Sequence, residues 1–249
     1  MSLIRAPLVL LHAVLYQVAS TPPNKTPPNA RYDSTESPWI RIAPLVFKIQ
    51  QPLVWLCTIA DILLVLSQHL PRSALSSALP SVLCPASSSS PASLIRPTPF
   101  FLLGLALVAA GTLLRVSCYR SLGPFFTFDL ALLPKHKLIT AGPYAIVRHP
   151  AYSGSLLVLA GLGLADLSPG GWVVECVSSN ARTGPQGWTS VFGGNMIYPW
   201  IGFAVWYAWW LVVGVRRARM EDAALHKAFG KEWEDYSRSV SSWFFPGVL

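Results

Sequence analysis

Charge is scarce in this sequence. Of its 249 residues only 12% are Asp, Glu, Lys or Arg, well under the roughly 25% of an ordinary soluble domain. Acid is scarcer than base: eleven Asp and Glu stand against nineteen Lys and Arg, a formal net charge of +8. With 52% hydrophobic residues and a mean hydropathy of +0.44, the chain has more apolar surface than one water-soluble core of this length can hide. That excludes a soluble enzyme, a disordered chain and a coiled coil. Cysteine is sparse too. Cys57, Cys84, Cys118 and Cys176 form no Cys-x-x-Cys pair, so neither a zinc site nor a disulfide framework is expected. No internal repeat is visible. The positive balance does not read as nucleic-acid binding, because the basic residues flank apolar runs instead of forming a stripe. The expected partner is a lipid bilayer, with no nucleic acid.

What the chain does have is long apolar runs. A spanning helix takes about 20 mostly apolar residues, and five stretches qualify as candidates: about 3–20, 44–68, 97–118, 151–167 and 195–215. The first carries Arg5 and His12 and ends in Val-Ala-Ser, which also fits a signal peptide. The fourth is short and Gly-rich and suits close packing against a neighbouring helix. The expected fold class is an all-α integral membrane protein with about five transmembrane helices plus a cytosolic C-terminal helix. Pro- and Ser-rich linkers cover 21–31 and 85–98, and a long loop of no evident chemistry covers 168–194. Two regions result: an N-terminal transmembrane region, 1–118, and a C-terminal core, 119–249.

Lys and Arg in the connecting segments set the orientation. With the C-terminus in the cytosol, segments 21–43, 119–149 and 216–249 hold thirteen of the nineteen, against Arg5, Arg72, Arg96 and Arg182 on the opposite side; Lys48 and Arg115 lie within spans. Stretches 134–153 and 216–238, which combine polarity with aromatics, therefore share the cytosolic face. The Asn24-Lys25-Thr26 glycosylation pattern falls on that face as well.

The first of these stretches contains Gly142-Pro143, a turn, and Arg148-His149-Pro150-Ala151-Tyr152-Ser153-Gly154. Pro150 suits the first position of a helix and pushes His149 into extended backbone. The fourth run should therefore begin at Pro150, with its N-terminal amides available to an anionic group. Arg148, His149, Tyr144 and Tyr152 beside it suit a ligand with an aromatic ring and a carboxylate. A juxtamembrane basic–aromatic belt would use the same residues. The second stretch, Arg216 to Tyr236, should continue the fifth run as one helix and stop near Gly230. Arg217 and Glu221 fall in line with Leu225 and Phe229, so they should face the protein, whereas Arg216, Lys227 and Lys231 should face water or headgroups. Trp233 and Tyr236 are expected to anchor a short following helix by packing. Asp61, costly in hydrocarbon, should face the bundle interior or water, in either a functional or a structural role. His12 and His69 are expected at the interface, and His226 on an exposed helix face.

The order of motifs is informative. His136-x-Leu-Ile-Thr-x-Gly-x-Tyr144, Arg148-His-Pro-x-Tyr-x-Gly154, a helical hairpin, Arg217-x-x-x-Glu221-Asp222-x-x-Leu225 and Phe229-Gly-x-x-Trp-x-x-Tyr236 together resemble the protein-S-isoprenylcysteine O-methyltransferase family over roughly 120–247. The resemblance implies a multi-pass endoplasmic-reticulum enzyme with its site facing the cytosol. It would use S-adenosylmethionine to methylate the C-terminal carboxylate of prenylcysteine on CaaX-processed proteins. Carried over, the cofactor would be held by His136, Lys137, Leu138, Ile139, Tyr144, His149, Pro150, Ala151, Tyr152 and Glu221, and Arg217 would hold the substrate carboxylate as the catalytic residue. No metal is implied. The sequence departs from the family pattern at Asp222, where Glu is usual, and at Trp233, where Tyr is common. The readings that compete are a phospholipid N-methyltransferase, an NADPH-dependent sterol-reductase-like enzyme, and a non-catalytic membrane scaffold. Preferred prenyl length, clients and oligomeric state are left open by the sequence.

Overall fold

The computed structural model describes residues 2–27, 42–71, 73–84, 95–129, 131, 133–134, 136–178 and 197–247. Every regular element among them is helical. Seven α-helices follow in order: α1 (Arg5–Ser20), α2 (Ala43–Ser67), α3 (Ala74–Leu83), α4 (Pro99–Leu122), α5 (Pro150–Asp166), α6 (Ile197–Phe229) and α7 (Lys231–Ser239). Short 3-10 turns lie at Gly123–Phe125 and Gly142–Ala145, and a π-helical turn at Val173–Ser178. Much of the two expected linkers, and the expected loop from residue 179 onward, lie outside the described residues.

The all-α membrane class holds. Among the described residues, three helices are long and apolar enough to cross a membrane: α2, α4 with its following turn (Pro99–Phe125), and α6. Helices form at the other two expected places and are shorter, 16 residues in α1 and 17 in α5. α6 is the opposite case. Its 33 residues extend about 50 Å at 1.5 Å per residue, well beyond a hydrocarbon core of about 30 Å. Apolar run and polar segment are thus one rod, as the sequence predicts. It stops where expected: Gly230 takes a left-handed φ of 54° and its amide donates to the His226 carbonyl at 2.8 Å.

The chain divides into two compact units, each drawn from three chain segments. Unit 1 comprises Met1–Tyr16, Gln51–Ala109 and Leu159–Tyr207. Its buried side chains include Arg5 and Asp61, which pair through Nη2–Oδ2 at 2.8 Å. Arg5 also donates to the Arg96 carbonyl at 2.9 Å, and the second Asp61 oxygen accepts the Trp172 amide at 2.8 Å. The acid left open between function and structure is thus a structural partner. His12 is buried with its ring 6.5 Å from Phe101. Cys84 and Cys176 form a disulfide across 92 residues, packed with Leu64, Val65 and Ile95. The sequence, lacking any close Cys spacing, suggested none. Where α4 meets α5 in this unit, a Cβ on Gly104 would lie 2.6 Å from the Gly161 carbonyl, so only glycine allows that approach. The aromatic Phe203 of α6 packs against Gly163 of α5.

Unit 2 comprises Gln17–Gln50, Ala110–Val158 and Ala208–Leu249. Cys118, Phe126 and Tyr144 form its apolar centre, with Ile139 and Ala151 against it. Arg115, inside α4, is buried but fully employed. It donates to the carbonyls of Ala19 at 2.7 Å and Ala151 at 3.1 Å and to Ser155, with its guanidinium 4.9 Å from the Phe128 ring. Asn24 donates to the carbonyls of Gly123 at 2.7 Å and Phe126 at 3.0 Å. Trp210 of α6 packs on Phe47 with ring centroids 4.6 Å apart.

Candidate active site

Pro150 opens α5 as predicted, and this fixes His149 at the helix entrance. The His149 ring is buried and lies between two consecutive acids of α6. Nε2 is 2.9 Å from Asp222 Oδ1 and Nδ1 is 3.2 Å from Glu221 Oε2. One turn along α5, the Tyr152 hydroxyl donates to the other Glu221 oxygen at 2.5 Å. Arg217, one turn before Glu221 on α6, is buried, and its Nη2 donates to the Phe128 carbonyl at 2.7 Å. Arg148 sits 3.6 Å from Asp222. The two stretches that the sequence singled out therefore meet within unit 2.

The electrostatics follow from that geometry. Burial by itself lowers the His149 pKa, but the hydrogen bonds its ring donates to Asp222 and Glu221 outweigh it and raise the value to about 9. At neutral pH the ring is an imidazolium donating from both nitrogens. Burial pushes the Tyr236 hydroxyl up to about 12, so it remains a donor, and it gives its hydrogen bond to the Tyr144 carbonyl at 2.8 Å. This ties α7 to the 142–145 turn, the packing role expected of Tyr236. Burial also lowers the His136 pKa, leaving that imidazole neutral at pH 7.

The chain's C-terminal segment closes the site, which nothing in the sequence pattern signals. The carbonyls of Ser242 and Trp243 accept the amides of Arg148 at 3.0 Å and His149 at 2.9 Å, and Ser153 donates to the Phe244 carbonyl. The Phe244 ring lies 6.4 Å from His149 and 6.0 Å from Tyr152. The amides of Tyr152 and Ser153 bond the His149 carbonyl at 3.1 and 3.5 Å. The start of α5 is therefore largely satisfied from within the chain. The expectation that its amides stand ready for an anion is corrected: charged side chains make this site, not a helix terminus.

The other sequence-predicted residues divide. His136 lies beside the end of α6, its ring 6.2 Å from Phe229 and 4.8 Å from Phe125. Tyr144 and Ile139 belong to the apolar centre around Cys118, Ala151 gives its carbonyl to Arg115, and Pro150 is fully buried. Leu138 is half-buried and Lys137 exposed. Arg216, Lys227 and Lys231 are exposed, and His226 pairs with Glu234 at the surface, all as expected. Sequence reasoning missed Asp222, although an acidic doublet at this helix position was its signal.

S-adenosylmethionine carries a cationic sulfonium and ammonium, a carboxylate and an adenine, and the residues present fit such a group. Glu221 supplies an anion whose side chain is still 30% exposed. His136 Nδ1, Arg148 Nε and the indole nitrogens of Trp233 and Trp243 are buried without a hydrogen-bond partner among the described residues. Both indoles lie against Arg148, with ring centroids 5.9 and 5.7 Å from its guanidinium carbon. Unused polar capacity of this kind is uncommon in a finished core and suits a polar ligand.

Comparison with known proteins agrees. A family model described as phospholipid methyltransferase matches residues 100–181. Two curated relatives, each named "Probable protein-S-isoprenylcysteine O-methyltransferase", come from Oryza sativa subsp. indica and Oryza sativa subsp. japonica. Each is 28% identical over 141 residues, covering 56% of this chain and 58% of the relative. Over 68 residues the chain is 38% identical to "Protein-S-isoprenylcysteine O-methyltransferase B" of Arabidopsis thaliana, which covers 26% of this chain and 34% of that protein. The chain resembles the protein-S-isoprenylcysteine O-methyltransferases. The matched region spans a little over half the length of the rice relatives. These likenesses support a membrane methyltransferase and agree with the family read from the motifs.

Proposed function

We propose that this protein is a membrane methyltransferase that uses S-adenosylmethionine to esterify the C-terminal carboxylate of a prenylated cysteine. The observation that carries the reading is the meeting of His149 and Tyr152 with Glu221, beside buried Arg217. When bound, the cofactor supplies an electrophilic methyl group on a sulfonium. The acceptor is a carboxylate, ionised at neutral pH, so no side chain has to remove a proton. Arg217 pairs with it through the planar guanidinium fork, and the Phe128 carbonyl holds that fork in place. Glu221, steadied by His149 and Tyr152, faces the cofactor's positive groups. Pro150 and Phe244, both buried, keep water away. The chain's residues thus align and desolvate the reactants more than they perform proton chemistry. Glu221→Ala should weaken S-adenosylmethionine binding roughly 10–100-fold, the scale of a lost hydrogen bond to a charged group; calorimetry measures it.

The orientation proposed with this function puts the site on the cytosolic face of the endoplasmic reticulum membrane. The disulfide supports it. Cys84 and Cys176 lie in segments that this orientation places on the opposite side, and disulfides persist in oxidising compartments. Prenylated CaaX proteins are the proposed substrates. A second reading, methyl transfer to an amine phospholipid, is favoured by the description of the family model over 100–181. One assay separates the two: membranes containing this chain are offered N-acetyl-S-farnesylcysteine or an ethanolamine phospholipid with labelled cofactor. Base-labile volatile methyl from the thioether acid supports the first reading, and labelled headgroup supports the second.

A further inference from the structure

Asp222 stands next to the acid that carries the proposed cofactor contact, yet its own bonds lead elsewhere. Its side chain is nearly buried, with Oδ1 2.9 Å from His149 Nε2 and Oδ2 3.6 Å from Arg148. The opposite face of the same imidazole, Nδ1, meets Glu221. Two consecutive residues of α6 thus hold the two nitrogens of one ring, with only one of the acids left partly open to a ligand. The α5 helix contributes Tyr152 to this cluster, and the C-terminal segment contributes the uncharged Phe244 ring and the Trp243 carbonyl. Arg217 lies beside Glu221 and Tyr152, the Tyr236 hydroxyl faces Asp222 and Arg148, and the Tyr144 hydroxyl faces Glu221.

We propose that Asp222 is a positioning residue of this site: by occupying Nε2 of His149 it commits Nδ1–H to Glu221 and so fixes the carboxylate that receives the methyl donor. A neutral imidazole carries one N–H. With Asp222 present the ring is doubly protonated and serves both acids. Without that carboxylate the ring loses a proton at lower pH, and its single N–H can go to either neighbour. Glu221 then loses a fixed donor and gains freedom to turn. The inference rests on the proposed function, since it takes Glu221 as the donor-binding group.

The test uses the full chain in nanodiscs, comparing wild type, Asp222→Asn and Asp222→Glu. Nitrogen-15 resonances of labelled histidine report the His149 titration, and calorimetry with S-adenosylhomocysteine from pH 6 to 10 reports affinity. In the wild type His149 should titrate near 9, with affinity falling above that pH. Asp222→Asn should move both transitions down by at least one pH unit and weaken binding about tenfold at pH 8, with much less change at pH 6. Asp222→Glu should restore both. Unchanged titration and affinity in Asp222→Asn overturn the proposal. So does an equal loss at every pH with no shift of the histidine, which is what simple structural damage gives. A wild type whose His149 titrates as expected but which binds no S-adenosylhomocysteine overturns the functional reading, and Asp222's role with it. Donor binding by the wild type together with an unaffected Asp222→Asn overturns Asp222's role alone.

Discussion

Both units bury charge, and they resolve the cost differently. In unit 1 the Arg5–Asp61 pair is closed: Arg5 is shared between Asp61 and the Arg96 carbonyl, and the second Asp61 oxygen takes the Trp172 amide. That network joins chain segments far apart in sequence and offers nothing to a ligand. In unit 2 the charges around His149 are bonded to one another, yet Arg148 Nε and two indole N–H groups retain unused capacity, and Glu221 stays partly open. Removing ions from water costs several kcal/mol per ion unless the neighbours compensate. A cluster that compensates incompletely is kept for something other than stability. Burial of charge alone therefore does not mark a site.

Breaking the closed network should have the largest effect and should act on stability. Arg5→Ala leaves Asp61 buried without its ion-pair partner, expected to cost about 3–5 kcal/mol, read as a lower unfolding midpoint in detergent. Turnover per folded molecule should persist, and the joint change Arg5→Met with Asp61→Leu should recover most of the loss. An activity defect in correctly folded Arg5→Ala protein would erase the distinction drawn between the units. Arg217→Ala tests the other side. Methyl transfer to a farnesylcysteine acceptor should fall by about 100-fold or more, the cost of misplacing a reactant, while cofactor affinity and unfolding midpoint change little. Arg217→Lys should recover only part, because an ammonium lacks the planar fork. Next in size is Cys84→Ser. Losing a bridge across 92 residues should cost about 2–4 kcal/mol and abolish the mobility difference between reduced and non-reduced protein, with turnover per folded molecule retained.

The sequence made unit 2's chemistry more legible than unit 1's architecture, and the reason is physical. Pro150, Gly142-Pro143 and Gly230 act through local backbone geometry, so the start of α5, the turn and the end of α6 were readable from a few neighbouring residues. Arg217 and Glu221 share a helix face by spacing alone. Asp222 was harder: helical spacing says that it points about 100° away from Glu221, but not that an imidazole from α5 fills the gap between them. The Arg5–Asp61 pair, the Cys84–Cys176 bridge and the Phe244 contact join residues far apart in the chain. No periodicity encodes such a pairing. The lengths of α1 and α5, 16 and 17 residues, were not legible either: hydropathy marks an apolar run, but tertiary partners decide where a helix ends.

The smallest expected effect tests orientation through a residue that is already occupied. Asn24 heads an acceptor pattern, yet its side-chain amide donates to the carbonyls of Gly123 and Phe126 at 2.7 and 3.0 Å. A glycan requires that nitrogen and would remove one of its two hydrogens, so modification and this packing compete. The proposed cytosolic placement also keeps the segment from the lumenal machinery. Endoglycosidase treatment should therefore leave the mass unchanged. Asn24→Ala should lower stability by only about 1–2 kcal/mol through two lost hydrogen bonds, with site chemistry preserved. An enzyme-sensitive mass shift that Asn24→Ala abolishes would reverse the loop and, with it, the side on which His149 and Glu221 meet.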